Sequence, residues 1–344
     1  MSDSSTKILD EILQDGKDTD IVIPVMGATG AGKSTFINYL FGDGKDHVQV
    51  GHHLTSCTVN VTPVILPSTS RNPQNPDSEP TRVIILDTPG FDDTLASDVE
   101  ILRRIANWLA TSYRKKMVLA GVIYLHDISQ DRFTGTARRN LSMFNHLCGE
   151  ASLDKVVLVS TKWERFRDAQ IPTAREGELK DKHWKFMVGK GSQVERFRLH
   201  SLKDEPLEKT GKESARHIVN LVRQRQAQEK GKVIKKFAIQ IQHELVDSKK
   251  FVPQTEAGKQ LNYSLKEFID MQKQLVTLEK GTAEAGDQDR EDKIVEMERT
   301  IRRLEEQMRS LKVSLPQRLK QIFKKLELAQ FYVSAWYYTA LICV

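Results

Sequence analysis

Gly27-Ala28-Thr29-Gly30-Ala31-Gly32-Lys33-Ser34 is the stretch on which the reading of this sequence turns. It satisfies G-x-x-x-x-G-K-[ST] and stands where that pattern belongs, between an apolar run and a helical one. Upstream, Ile21-Val22-Ile23-Pro24-Val25-Met26 is short enough for a buried strand, although Pro24 removes one ladder hydrogen bond from a central position. Downstream, Phe36, Ile37 and Leu40 recur at helical spacing and Gly42 follows as a stop. Glycines let the backbone curl so that successive N–H groups face inward, and the helix N-terminus adds the positive end of its dipole. The loop, with Thr35 at its end, is therefore a candidate polyphosphate cradle. Lys33 would reach the β- and γ-phosphate oxygens and the Ser34 hydroxyl would ligate Mg2+.

GTPases, ATPases and small-molecule kinases all use such a loop. A second element narrows the choice. Arg82-Val83-Ile84-Ile85-Leu86 runs into Asp87-Thr88-Pro89-Gly90, a D-x-x-G at a strand exit. By analogy with phosphoryl-transfer sites, Asp87 would hold Mg2+ through water and the Gly90 N–H would bond the γ-phosphate. Pro89 and Gly90 make a turn that loss of that phosphate would release. A third element, Val156-Val157-Leu158-Val159-Ser160, leads into Thr161-Lys162-Trp163-Glu164, which is similar to the guanine-reading N/T-K-x-D. A carboxylate at the last position accepts hydrogen bonds from N1–H and the exocyclic amine of guanine, groups that adenine does not present there. Glu164 is one methylene longer than the usual aspartate.

A switch threonine that closes on Mg2+ and the γ-phosphate belongs between these first two elements. Thr58 is the first choice because it abuts the next strand, and Thr55 is the alternative. The candidate catalytic set is then Lys33, Thr58 and Gly90, and the candidate metal set Ser34, Thr58 and Asp87. His52 and His53 read as a solvated loop, since adjacent side chains seldom share one metal. His126, after the fourth strand, reads either as a neighbour of the nucleotide or as a packed structural histidine. Phe91 stands where a Ras-type enzyme offers a glutamine to orient water. Slow intrinsic hydrolysis is the expectation.

Around these elements short apolar runs alternate with helices. Strands are predicted over 59–66, 82–86, 118–125 and 156–159, and helices over 99–113 and 138–147. That alternation implies a mostly parallel sheet covered on both faces. From about residue 214 the periodicity becomes purely helical. One helix is predicted over 214–246 and another over 255–278, with Leu261, Leu265, Phe268 and Leu275 on its apolar side. A third starts at Ile294. Its apolar positions Ile294, Met297, Ile301, Leu304, Met308, Leu311 and Leu315 alternate steps of three and four, a coiled-coil seam. The polar break at 281–292 would let the last two helices fold back as an antiparallel hairpin. The expected organisation is a polar arm 1–18, an α/β nucleotide-binding domain 19–213, a helical and coiled-coil region 214–328, and an apolar tail 329–344.

Charged residues at 28% with aromatics at only 7% fit a globular core followed by long exposed helices. A net charge of +6, with no RNA- or DNA-reading motif beside it, makes no case for nucleic acid as a partner. Cys57, Cys148 and Cys343 have neither metal spacing nor a disulfide framework. The polar first 16 residues show no apolar signal core, and the expected compartment is the cytoplasm. The stretch from Phe331 to Val344 is apolar and uncharged, and shorter than the ~20 residues of a spanning helix. Two readings of it stand: docking onto the protein, and peripheral membrane contact beside Lys320, Lys324 and Lys325.

The strings VMGATGAGKSTFIN, LTSCT, LDTPGF, GVIYLHDIS, NLSMFNHLCG, VVLVSTKWE and FMVGKGSQVERF together resemble the fungal G-domain proteins related to the AIG1/septin/Toc (paraseptin-type) P-loop GTPases. The resemblance covers roughly residues 20–200, with the strings in the family's order. It implies a Ras-like α/β G domain, GTP or GDP as ligand, Mg2+, and homodimerisation through the G domain. By the same resemblance Gly191 and Ser192 would lie near the guanine. The leading expectation is a GTP-binding protein and slow GTPase acting as a nucleotide-gated switch or assembly module. The other is a nucleotide-binding scaffold with negligible turnover that assembles through its coiled coil.

Overall fold

The computed structural model describes residues 11–41, 48, 61–66, 81–91, 97–203, 211–228, 237–282 and 288–312. The chain divides into two compact units, Met1–Ser264 and Leu265–Val344. In the first, a sheet is built from β1 (Ile21–Gly27), β2 (Thr62–Leu66), β3 (Val83–Asp87), β4 (Val118–Leu119), β5 (Val122–Asp127), β6 (Val156–Thr161) and β7 (Gln193–Arg196). The order is β2-β3-β1-β5-β6-β7, with β4 also on β1. Only β2 runs antiparallel, against β3. The α-helices of five residues or more that lie wholly within this unit are α1 (Lys33–Phe41), α2 (Asp98–Arg114), α3 (Gly135–Cys148), α4 (Gln170–Glu178), α5 (Lys185–Gly189) and α6 (Gly211–Gln228).

Alternation along the strands sends side chains to two covered faces. On one, Ile21, Ile23 and Val25 share a core with Ile85, Ile123, Leu125, Val157 and Val159, covered by Phe36, Ile37 and Leu40 of α1. Ala215, Ile218, Val219 and Val222 of α6 belong to that same core. The boundary expected at 213/214 therefore falls one helix too early: α6 completes the α/β layer instead of opening the helical region. On the other face Tyr124 packs its ring 4.6 Å from that of Phe144 in α3.

Pro24 does sit in the central strand, and the neighbouring backbone shows how. Ile21 N donates to Arg82 O on the β3 side, while Val22 O accepts from Ala120 N on the other. Alternation thus turns the Pro24 nitrogen toward β4 and β5. There Val22 is opposite Leu119 and Val25 opposite Ile123, so the neighbour carries one residue more than β1 does. This is a bulge, where a missing N–H leaves no ladder bond unmade. It splits the single strand predicted over 118–125 into β4 and β5. Gly121 fits the tight spot, since a Cβ there would lie 2.5 Å from Lys155 O.

At the opposite end of the strands from Gly27, Asp20 is fully buried and accepts from Arg82 Nε at 2.8 Å and Nη2 at 2.6 Å. Arg82 Nη1 also donates to Asp15. This clamp fastens the segment before β1 to the start of β3.

α7 (Glu256–Thr282) begins in the first unit, and its remainder from Leu265 forms the second with α8 (Gln288–Ser310). Lys273 pairs with Glu305 and Lys280 with Glu298, both at 2.7 Å. Seven residues forward on α7 correspond to seven back on α8, so the two helices run antiparallel. Leu265, Ile269 and Val276 are buried on α7, Ile301 and Leu304 on α8, and Leu311 just past its end. Leu275, expected on the apolar side of the helix over 255–278, is exposed, and Val276 is buried. The residues of the apolar tail, and Leu315 of the seam, lie outside the described residues. No helix among the described residues is long and apolar enough to cross a membrane.

Candidate functional site

The glycine-rich turn leaves β1 and enters α1 as the motif requires. Gly27 has φ +144°, Gly30 +77° and Gly32 +91°, values open to glycine and strained for other residues. A Cβ on Gly27 would meet Leu125 O at 2.3 Å. Lys33 is buried at the head of α1. Its ammonium donates to Gly27 O at 3.1 Å and Ala28 O at 2.9 Å, closing the loop on itself.

The D-x-x-G segment is brought directly to this loop because β3 lies beside β1, with Asp87 opposite Val25. Thr88 Oγ1 donates to Val25 O at 2.8 Å. Gly90 is packed so closely that a Cβ would stand 2.4 Å from Thr29 N. Ser34 Oγ donates to Asp87 Oδ2 at 2.9 Å, while Asp87 Oδ1 is buried without a partner. Burial pushes the Asp87 carboxyl up to about 6, against the opposing charge of Lys33 and the Ser34 hydrogen bond. A hydroxyl and a carboxylate with an unused oxygen suit a hard divalent cation. Ser34 and Asp87 therefore fit Mg2+. Thr58 and its alternative Thr55 lie outside the described residues, as do His52 and His53. Among the described residues no cluster of three or more His, Cys, Asp or Glu forms a separate metal site.

The third element arrives through β6. Thr161 Oγ1 donates to Ala31 O at 2.8 Å and to His126 O at 3.2 Å. Lys162 adopts the left-handed conformation, φ +61°, and its ammonium sits 2.7 Å from Asp127 Oδ2. Burial would raise the Asp127 carboxyl, but the hydrogen bonds from Lys162 and Ser129 outweigh it and hold it below the usual range. Trp163 is fully buried beneath the turn. Beside it, Glu164 Oε2 is buried with no partner.

His126 is packed among aromatic rings. Its ring lies 5.5 Å from that of Phe133 and 5.9 Å from that of Trp184, and burial lowers its pKa to about 4. It lines a cleft of about 380 Å³ with Phe133, Arg138, Arg175 and His183.

Gly191 and Ser192 are not gathered with the other residues. β7 runs parallel to β6, so the loop-facing ends of the strands are their C-termini: Gly27, Asp87, Asp127, Thr161 and Arg196. Gly191 and Ser192 precede β7, at the far edge. Ser192 Oγ donates to Leu153 O at 2.6 Å, and Gly191 packs on Asp154. The rule that ligands meet the carboxyl ends of parallel strands points to Arg196 and Phe197 as the exit from β7. Applied to β5, it would also have found Asp127.

Residues 22–162 match the family model described as 50S ribosome-binding GTPase. No curated protein matches the chain. Among solved structures the chain is similar to Toc33 from Arabidopsis thaliana in complex with Mg2+ and GMPPNP, at 17% identity and a TM-score of 0.44, covering 70% of this chain and 96% of that one. It is also similar to Era from Aquifex aeolicus bound to GDP.AlF4-, at 15% identity and 0.38, covering 59% and 56%. Elongation factor SelB from Methanococcus maripaludis with GppNHp follows at 13% identity and 0.37, covering 66% and 36%. From the matched segment, the strand order and the phosphate loop, the chain has a P-loop GTPase fold on a mostly parallel sheet, followed by a helical region.

Proposed function

We propose that the chain binds GTP with Mg2+ in the Gly27–Ser34 loop and hydrolyses it slowly, as a nucleotide-gated switch or assembly module. One observation carries the reading. Ser34 touches Asp87, Gly90 abuts Thr29, and Thr161 holds Ala31. Phosphate loop, D-x-x-G and base-reading turn are thus one continuous set of contacts. When bound, Mg2+ would neutralise charge on the β- and γ-phosphate oxygens. Lys33 would leave its loop carbonyls for those oxygens, and Glu164 would supply the carboxylate that reads the base. Phe91 in place of a water-orienting glutamine supports slow turnover, and Thr58 or Thr55 is the candidate switch threonine. The antiparallel α7–α8 pair is the candidate element for assembly with a second copy of the chain. It equally suits the alternative of a scaffold with negligible turnover. A cytoplasmic protein, with a peripheral membrane contact through the tail, completes the proposal.

The test is competition of GTP, ATP and XTP with Mg2+, following bound nucleotide and its conversion to diphosphate. GTP should win and turn over slowly. Retention of GTP by Lys33→Ala at parental affinity would overturn the site, and bound nucleotide that never exchanges or turns over would favour the scaffold.

A further inference from the structure

Beneath the base-reading turn four side chains close a ring. Trp163 Nε1 donates to Ser160 Oγ at 3.0 Å, and Ser160 Oγ donates to Glu176 Oε1 at 2.9 Å. Arg196 holds the same carboxylate from the other side, Nε at 3.0 Å and Nη2 at 2.8 Å from Oε2. The Arg196 guanidinium then lies over the Trp163 ring, 4.4 Å from its centroid. Lys180 adds a further bond to Glu176 at 3.0 Å. Trp163 and Ser160 are fully buried and Glu176 is 2% exposed. Three elements meet here: the end of β6, α4, and the last residue of β7.

Such a ring is expensive to leave incomplete, because Trp163, Ser160 and Glu176 are buried polar groups bonded to one another, with the half-buried Arg196 closing the ring. A buried indole N–H ordinarily takes one hydrogen-bond partner; here that partner, Ser160, is itself tied to Glu176 and through it to Arg196, which lies over the indole face. The ring fixes the rotation of Trp163, and Trp163 is adjacent to Glu164 in the single turn Trp163–Arg165. Left-handed Lys162 and the anchored indole, the two residues before Glu164, leave its backbone little freedom. The extra methylene of Glu164 makes this matter, since a longer side chain reaches one target geometry only from a well-fixed root.

We propose that Glu176, with Ser160 and Arg196, is a positioning residue for base selection: the ring holds Trp163 so that the Glu164 carboxylate stays aligned for a purine bearing N1–H and a 2-amino group. This rests on the GTP reading given above. None of the ring hydrogen bonds given above reaches the phosphate loop or Asp87, so its loss should alter choice among bases and leave triphosphate binding as such in place.

The experiment measures Kd for the Mg2+ complexes of GTP, ITP and ATP with the full chain and with Glu176→Gln, Ser160→Ala and Glu164→Gln. ITP lacks the 2-amino group. In the parent, GTP should bind more tightly than ITP and ATP. In Glu176→Gln the preference for GTP over ATP should fall about tenfold, the scale of one misaligned charged hydrogen bond, with ATP affinity unchanged. Ser160→Ala, which removes only a hydroxyl, should shift it the same way, and Glu176→Gln combined with Glu164→Gln should lose little more than Glu164→Gln alone. A parent without preference for GTP overturns the GTP reading and this proposal with it. Parental preference in both Glu176→Gln and Ser160→Ala overturns the proposal alone, as does equal weakening of all three nucleotides.

Discussion

Thr161 Oγ1 donates a 2.8 Å hydrogen bond to the carbonyl of Ala31, across 130 residues of sequence. The residue that opens the proposed base-reading turn is thereby fastened to the middle of the glycine-rich loop. Under the proposed function, the segments that hold the two ends of the nucleotide are joined through this bond.

Thr161→Val keeps the shape of the side chain and removes that bond along with the one to His126 O. Buried carbonyls left short of a donor should cost about 1–3 kcal/mol. Denaturant unfolding of parent and variant measures it. An unchanged midpoint would show the hydroxyl to be idle.

Gly90→Ala sets a methyl where Thr29 N stands 2.4 Å away. The D-x-x-G turn must then withdraw from the phosphate loop. Affinity for a triphosphate analogue should fall about tenfold, on the scale of one lost hydrogen bond to a charged group, and affinity for GDP should change much less. Titration with both nucleotides checks this, and equal losses would place Gly90 away from the γ-phosphate.

Burial holds the His126 pKa near 4, below its ordinary 6.5. The folded state therefore prefers the neutral ring. Its contribution is complete above pH 6.5 and is withdrawn as pH falls from there toward 4, by roughly 3 kcal/mol in full. His126→Phe should flatten this part of the stability–pH profile measured by urea unfolding between pH 4 and 7. An equally steep profile in the variant would assign the dependence to another group.

The antiparallel register of α7 and α8 can be checked chemically. With Cys57 and Cys343 replaced by serine, Lys273→Cys paired with Glu305→Cys should be joined rapidly by a short bismaleimide, as should Lys280→Cys with Glu298→Cys. Lys273→Cys with Glu298→Cys should react slowly. Equal rates for all three pairs would contradict the register.

What could be read from the sequence was whatever the local backbone chemistry dictates. The curl at Gly27, Gly30 and Gly32, the strand exits at Asp87 and Thr161, and the three-and-four spacing of Ile301, Leu304 and Met308 are each set within about ten residues. What escaped depends on distant partners. Nothing near Pro24 announces that residues 120–122 bulge to accommodate it. Glu176 looks like one more helix-surface charge until folding brings Ser160 and Arg196 to it. A resemblance of strings does not state which end of a parallel strand Gly191 and Ser192 occupy, and the periodicity of α6 does not say that it packs on the sheet.

The extra residue opposite Pro24 has a consequence for what kinds of change this chain tolerates. Upstream of it Val118 and Ala120 point to the α1 side, and downstream Ile123 and Leu125 do, so even and odd positions trade places at Gly121. Substitutions nearby act on one side chain at a time. Deletion of a single amino acid would invert the remaining strand, turning Ile123 and Leu125 outward and carrying Asp127 away from Lys162. This short stretch serves as the phase marker of the sheet: its spacing matters more than its chemistry, apart from the one position that has no room for a side chain.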